Sequence, residues 1–222
     1  GSGILKGPKS EGRLVHSYQQ IKDSAVWEAV VEVDTAPVIK RINPWFFYPD
    51  ETVEDVHDIQ DAIEVHPMSA LELKKLTKHK GFRAAAIKEV LSQKPREYAA
   101  ESWADFARLS ENNPNLYKDR YTVLEYHGPI AKEHLEAVGI EPAYESDDCE
   151  YYGEVWACQG QVIRIELADI EATYSIPYYM CNWEKDPGSV FGYGVPLMME
   201  DAQRVVNESW HMILDNSSLS SG

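Results

Sequence analysis

The apolar and polar positions of residues 192–222 follow the period of an α-helix. Pro196 suits the first turn of that helix, where its missing N–H costs no hydrogen bond. The apolar residues recur at three- and four-residue spacing and form one stripe; they are Met198, Met199, Ala202, Val205, Val206, Trp210, Ile213 and Leu214. We predict a helix of about six turns from Pro196 to about Asn216, after a turn at Gly192 and Gly194 and before a flexible serine-rich end.

Polar side chains interrupt this helix at Gln203, Asn207 and Asn216. The pattern fits an ordinary amphipathic helix that covers a core. Polar residues inside an otherwise apolar stripe also set the register where helices meet. The pattern leaves both interpretations open.

The rest of the chain alternates between two periods. Alternation typical of strands covers residues 26–33, 38–42, 61–66, 121–128, 151–158, 161–167 and 177–183. Helical spacing covers residues 69–80, 83–92, 103–109 and 131–138. Gln159-Gly160 joins two strands as a hairpin. We predict loops over 1–13, 50–60, 144–152 and 184–189. The sequence therefore predicts an α+β fold of mixed strands and short helices that ends in a long amphipathic helix.

Ser69 and Glu72 have the spacing of a capping box, in which each side chain satisfies a backbone N–H at the start of a helix. Gly81 is a natural stop for this helix. The basic side chains between them are Lys74, Lys75, Lys78 and Lys80, followed by Arg83. They either complement the helix dipole or contact an acidic partner such as a neighbouring subunit.

An aromatic block at residues 45–48 precedes an acidic run. We interpret the block as the end of a strand packed into a core. The acidic run includes His57 and leads to His66, and its acids are Asp50, Glu51, Glu54, Asp55, Asp58, Asp61 and Glu64. Carboxylate oxygens are ligands for hard cations, but the spacing is not that of an EF-hand. We predict a solvated loop here and keep a metal- or carboxylate-dependent hydrolase as the alternative.

The chain carries 37 acids against 21 bases, a formal net charge of -16. This balance argues against tight wrapping of nucleic-acid phosphates, which requires a basic surface. An acidic wall past which DNA slides remains compatible with it. The 44% hydrophobic content predicts a folded protein. The three cysteines, Cys149, Cys158 and Cys181, are too few and too widely spaced for a disulfide framework or a zinc site.

Catalytic motifs are missing from the sequence. It contains no P-loop, no dinucleotide-binding glycine motif, no nucleophile elbow and no paired-histidine zinc motif. Carboxylates are abundant enough that pairs of them carry little weight as evidence for a glycosidase-like site. We therefore predict a protein that is not an enzyme, with no cofactor and no bound metal.

Three segments resemble the portal proteins of tailed bacteriophages, of the podovirus type. The C-terminal segment has a glycine-rich turn, a proline and a helix with Gln and Asn four apart; its matching residues are Gly192, Gly194, Pro196, Gln203, Asn207, Trp210 and Asn216. The other two segments are Gly3-Ile4-Leu5-Lys6-Gly7-Pro8 and Asn43-Pro44-Trp45-Phe46-Phe47-Tyr48-Pro49-Asp50. Each segment alone is weak, whereas three in order are fairly specific.

The resemblance implies a structural subunit of an oligomeric ring, a dodecamer in the full-length protein. The ring is the head-tail connector at one capsid vertex and forms the channel for genome packaging and ejection. Implied partners are capsid and scaffolding proteins, double-stranded DNA in the channel, and terminase and a tail adaptor through missing regions. The implied location is the virion, after assembly in the host cytoplasm, with no membrane contact. The alternatives to this function are a metal- or carboxylate-dependent hydrolase and a non-catalytic interaction module of a virion.

The resemblance also implies a division of the chain. Residues 1–13 would be a linker, residues 14–183 the α+β wing, and residues 184–222 the turn and the start of the stem helix. The stem helix would contact neighbouring subunits through the residues of the C-terminal match. We expect an internal fragment without clip and crown, with Gly1 and Ser2 as tag residues.

Overall fold

The computed structural model describes residues 2–20, 27–95, 119–142, 150–168 and 176–220, with backbone only for 9–20, 27–35 and 150. The described chain is an α+β fold, as the sequence predicts, and its strand pairs are antiparallel. The predicted helix at 103–109 and most of the predicted loop at 144–152 lie outside these residues. The last residues of that predicted loop, from Glu150, belong to a strand.

A five-stranded sheet forms the centre of the molecule, in the order β3-β4-β5-β6-β7. Its strands are β3 (Phe47–Pro49), β4 (Ala62–Met68), β5 (Tyr121–Ala131), β6 (Glu150–Cys158) and β7 (Gln161–Leu167). The predicted hairpin of β6 and β7 around Gln159 and Gly160 is confirmed. Phe47 of the aromatic block is buried as predicted, whereas Trp45 and Tyr48 are exposed.

A second sheet has the order β2-β1-β8 and consists of β1 (Ser2–Gln20), β2 (Trp27–Ile42) and β8 (Tyr178–Asn182). The predicted loop over residues 1–13 is therefore wrong from Ser2 onward. Its Gly, Pro and Ser content predicts no strand, but β1 pairs with β2 on one side and with β8 on the other. Such tertiary pairing overrides local preference in strands. The two predicted strands at 26–33 and 38–42 are one continuous strand.

Among the described residues, three short α-helices pack on the large sheet, α1 (Ala70–Leu76), α2 (Ala84–Ser92) and α3 (Lys132–Val138). The predicted capping box is confirmed, since Ser69 and Glu72 satisfy each other's backbone N–H groups. Gly81 does not end α1, which stops at Leu76; the glycine lies in the following turn with a φ of 90°. Gly139 ends α3 in the left-handed conformation.

Apolar side chains pack in two main clusters at opposite ends of one face of the large sheet. At one end, α1 and α2 bury Leu73, Ile87 and Val90 against Val123 and Trp156. At the other end, the smaller sheet contributes Ile4, Ile42 and Tyr178, which pack against Phe47 and Ala62. The strands between these clusters carry polar side chains on the same face.

A small hairpin leads into the C-terminal helix. Its strands are β9 (Glu184–Lys185) and β10 (Gly192–Tyr193), so the predicted loop at 184–189 is a strand at its start. Gly192 must be glycine, because a Cβ atom there would lie 2.2 Å from the Glu184 carbonyl oxygen. The helix α4 (Val195–Ser220) follows. It is longer than predicted and includes the serine-rich residues, of which Ser218 and Ser220 donate hydrogen bonds to preceding carbonyls.

Candidate functional site

The helix α4 presents its apolar side chains to solvent. In the part of the chain that the structure describes, no residue of this 26-residue helix is buried. Trp210, the largest side chain of the stripe, is 61% exposed, and Val206 and Ile213 beside it are similarly open. Exposed apolar patches of this extent mark interaction surfaces. The helix is therefore one candidate interaction site.

The residues of the C-terminal match serve different local roles. Gly192 donates its N–H to the Ser2 hydroxyl at 2.8 Å, and the Gly194 carbonyl accepts the N–H groups of Leu197 and Met198 at the start of α4. Pro196 lies in the first turn, and Trp210 and Asn216 are exposed on the helix. These residues run from β10 through the turn into α4, and Pro196, Gln203 and Asn207 line an open groove along the helix.

Gln203 and Asn207 hydrogen-bond to each other within α4. The Gln203 amide donates to Asn207 Oδ1 at 3.0 Å, which the i, i+4 spacing of a helix allows. The sequence-based expectation is that both residues bond to neighbouring subunits. Within this chain their side chains are fixed relative to each other and remain exposed.

A second candidate site is a cluster of buried and half-buried polar side chains between the two sheets, which we name the β4–β5 cluster. It consists of Lys6, Glu64, His66, Glu125, His127 and Tyr178. Glu64 and His66 belong to β4, and Glu125 and His127 belong to β5. Since Glu64 pairs in register with Glu125 and alternate residues of a strand share a face, these four side chains project from one face.

Lys6 enters the cluster from β1. Its ammonium donates hydrogen bonds to Oε2 of both Glu64 and Glu125. Lys6 is 4% exposed and Glu125 is 1% exposed, so these ions are removed from water. Burial of a charge is costly unless an opposite charge and hydrogen bonds accompany it. The pairing with two carboxylates meets that requirement for Lys6.

The histidines flank Glu125 on both sides. His66 Nε2 lies 2.7 Å from Glu125 Oε2 and 3.6 Å from Glu64 Oε1, and His127 Nε2 lies 3.0 Å from Glu125 Oε1. The His66 ring stacks on Trp156, with ring centroids 5.1 Å apart. Both carboxylate oxygens of Glu125 therefore face an imidazole nitrogen.

Tyr178 closes the cluster from β8. Its hydroxyl donates to Glu64 Oε2 at 2.9 Å, and its ring lies under the Lys6 ammonium at 4.9 Å. Burial raises the pKa of Tyr178, and the charges of Glu125 and Glu64 raise this pKa further. The phenol therefore stays protonated and acts as a hydrogen-bond donor that holds the Glu64 carboxylate in place.

An ion pair at the β6–β7 edge borders the cluster. Arg164 of β7 donates to Glu154 Oε1 at 2.9 Å and also contacts Glu166. The Trp156 indole N–H donates to the same Glu154 carboxylate. This pair orients Glu154, whose carboxylate lies near Glu125 and His127.

Sequence reasoning missed the β4–β5 cluster. Of the seven acids of the predicted solvated run, only Glu64 belongs to it. A signal that could have indicated the cluster is the pattern Glu-x-His, which occurs at Glu64–His66 and again at Glu125–His127. Two such strands form one site only if they are neighbours in register, and the sequence does not specify that.

The remaining acids of the run lie in the loop before β4. Asp50 accepts hydrogen bonds from Thr52, and Asp55 accepts from the His57 N–H and from Lys185. These contacts lower the pKa of Asp50 and of Asp55. Among the described residues, the convergent groups of metal-ligand side chains include none of these loop acids. The loop therefore offers no support for the hydrolase alternative.

The basic side chains of α1 and the following turn, Lys74, Lys75, Lys78 and Lys80, are exposed. Lys74 and Lys75 lie in the last turn of α1, where positive charge complements the helix dipole.

Burial raises the pKa of the Cys158 thiol to about 11, which makes this cysteine unreactive.

Comparisons with known proteins leave the family open. No protein-family model matches the chain, and no match was found among curated proteins. Within the described residues, no helix combines the length and the apolar character needed to cross a membrane.

Proposed function

We propose that the chain is part of a portal protein of a tailed bacteriophage, a structural subunit of the ring through which DNA enters and leaves the capsid. In this proposal the two sheets with α1 to α3 belong to the wing, and α4 begins the stem. The chain does not act as an enzyme, and its partners are copies of itself, other virion proteins and the DNA in the channel.

The exposed helix α4 carries this proposal. A helix of 26 residues extends about 39 Å, and water alone does not favour a helix with so many exposed apolar side chains. Most helical stability in proteins comes from packing of the apolar face. A symmetric ring supplies that packing, because the same face meets a neighbouring copy in every subunit.

Three further features support the proposal. The residues of the C-terminal match begin the helix and lie along it, as the resemblance implies. The net charge of -16 suits a channel protein that DNA passes without adhering. The opening segment belongs to the smaller sheet and the segment before Asp50 supplies β3 of the large sheet, and the two segments pack together through Ile4 and Phe47.

The absolute mass in solution tests this proposal. Light scattering on this chain and on a version extended beyond Gly222 would be compared at equal concentration. We expect the extended chain to form a ring of about twelve subunits, and this chain to form smaller species. A monomer in both cases would contradict the proposal.

A matched pair of variants identifies the contact surface. In the extended chain, Val206→Asp places a charge within the apolar stripe and should disrupt the ring. His211→Asp introduces the same side chain about 140° around the helix, on its polar face, and should leave the ring intact. An equal effect of both variants, or no effect of Val206→Asp, would show that the stripe does not form the contact.

A further inference from the structure

The β4–β5 cluster has the donor set of a metal site. Imidazole nitrogens combined with carboxylate oxygens bind first-row divalent metals such as zinc, cobalt and manganese. Glu64, His66 and Glu125 each place one ligand atom so that the three atoms lie within 4.8 Å of one another. A second such group, Glu125, His127 and Glu154, shares Glu125.

The side chains are held in orientation by neighbouring groups. Metal ligands in proteins are usually fixed by hydrogen bonds from residues around them. The Tyr178 hydroxyl holds Glu64, the Trp156 ring stacks on His66, and Arg164 holds Glu154. Such order lowers the cost of arranging ligands when an ion binds.

A cation already occupies the space between the carboxylates. The Lys6 ammonium contacts Oε2 of Glu64 and Oε2 of Glu125, and the latter oxygen also lies 2.7 Å from His66 Nε2. The place is therefore shaped and charged for a positive ion that two carboxylates share. A metal ion at this place could also form a coordinate bond to His66 Nε2. An ammonium group forms no such bond.

The strand that carries Lys6 is irregular at this point. The register of β1 against β2 shifts between Lys6 and Lys9, and Gly7 has a φ of 136°. A bulge of this kind lets a strand re-aim a side chain without losing its pairing elsewhere. The bulge directly follows Lys6 along β1.

We propose that Glu64, His66 and Glu125 form a binding site for a first-row divalent metal ion, for which the Lys6 ammonium is a built-in competitor. Binding of the metal exchanges the ammonium contacts of the two carboxylates for metal–oxygen bonds and adds a bond to His66 Nε2. The ammonium keeps its proton and moves toward solvent. Metal binding thereby loosens the hold of the large sheet on the start of β1.

Titration of this chain with Co²⁺ alone, followed by absorption spectroscopy, tests the proposal. We expect saturable binding of one Co²⁺ ion. The bound ion should show the visible absorption bands of Co²⁺ with nitrogen and oxygen ligands, and Zn²⁺ should displace it. Thiolate charge-transfer bands would assign the ion to a cysteine such as the exposed Cys181 and would overturn the proposal. Absence of saturable binding would overturn it as well.

Two variants and one control locate the ion. His66 is 23% exposed, and His66→Ala leaves the Lys6–carboxylate contacts intact, so this variant should fold. It should weaken Co²⁺ binding at least about tenfold, since even loss of an outer partner of a ligand costs 10–100-fold. His134→Ala, at an exposed histidine of α3, should have no effect. The reverse pattern would place the ion at the surface.

Lys6→Met tests the competition, because it removes the ammonium and keeps most of the side-chain volume. We expect Co²⁺ to bind this variant more tightly than the parent chain and to raise its unfolding temperature by more. Equal or weaker binding in a folded Lys6→Met chain would overturn the competition. If the variant folds only when Co²⁺ is present, as circular dichroism would reveal, the metal replaces the ammonium as proposed.

Discussion

The two sheets with α1 to α3, which we name the sheet domain, differ from the helix α4 in which side chains they bury and which they expose. The two sheets bury Lys6, Glu64, Glu125 and His127 between them, whereas α4 exposes its apolar stripe. In the sheet domain these buried polar side chains have partners within the chain. In α4, among the described residues, the apolar side chains have none that bury them.

This difference separates two kinds of energetic requirement. Buried charges must find opposite charges and hydrogen bonds, and strands distant in sequence supply them here. Exposed apolar groups gain free energy from contact with apolar surface, which a neighbouring subunit would supply in the ring that we propose. The buried charges of the β4–β5 cluster are therefore compensated within the chain, whereas the apolar stripe of α4 would gain its packing in the proposed ring.

The largest effect on stability should come from the centre of the β4–β5 cluster. Glu125→Ala removes one of the two carboxylates that share the Lys6 ammonium and leaves a buried charge under-compensated. We expect the free energy of unfolding to fall by about 3–5 kcal/mol, as measured by urea denaturation. The matched variant Glu133→Ala, at an exposed acid of α3, should change it by less than about 0.5 kcal/mol. Similar losses for both would contradict a compensated charge cluster.

Removal of a buried leucine in the sheet domain should have the next largest effect. Leu73 is fully buried between α1, α2 and the large sheet. Leu73→Ala should lower the free energy of unfolding by about 2–5 kcal/mol, because it removes buried methyl groups and leaves a cavity. Chemical denaturation followed by tryptophan fluorescence measures this change. A loss below about 1 kcal/mol would indicate that the helices α1 and α2 are not part of the cooperative core.

The helix cap at Ser69 should contribute a smaller amount. Ser69→Ala removes the side-chain half of the capping box and should cost about 1 kcal/mol. Hydrogen bonds from Ser69 lower the pKa of Glu72 from 4.5. The contribution of this carboxylate is therefore present above pH 4.5 and is lost as the pH falls below that value through the folded-state pKa. Denaturation at pH 7 and at pH 3 should show that the effect of the variant shrinks in acid.

The smallest effect on stability should come from a leucine of α4. Leu214 is 49% exposed, and Leu214→Ala in this chain should change the free energy of unfolding by less than about 0.5 kcal/mol. In the chain extended beyond Gly222, the same variant should weaken the ring, as measured by light scattering at decreasing concentration. A loss in this chain as large as that of Leu73→Ala would show that α4 packs on its own sheet domain.

The extent to which the fold was predictable differs between elements. The capping box of α1, the β6–β7 hairpin and the existence of α4 follow from patterns within a few residues, and all three are confirmed. The error at residues 1–13 has a physical cause. A segment with Gly3, Gly7 and Pro8 has no local preference for a strand, and only its pairing with β2 and β8 makes it one. The wing and stem boundaries and the ring stay predictions.

The sequence by itself determined the existence of α1, α4 and the β6–β7 hairpin and the contrast between apolar and polar positions, because these depend on residues close to one another along the chain. The tertiary structure alone decided the β4–β5 cluster. Lys6 lies 58 residues from Glu64 and 119 residues from Glu125, and no local pattern encodes a meeting over such separations. Strand order and register bring the three side chains together, and burial then requires their charges to pair.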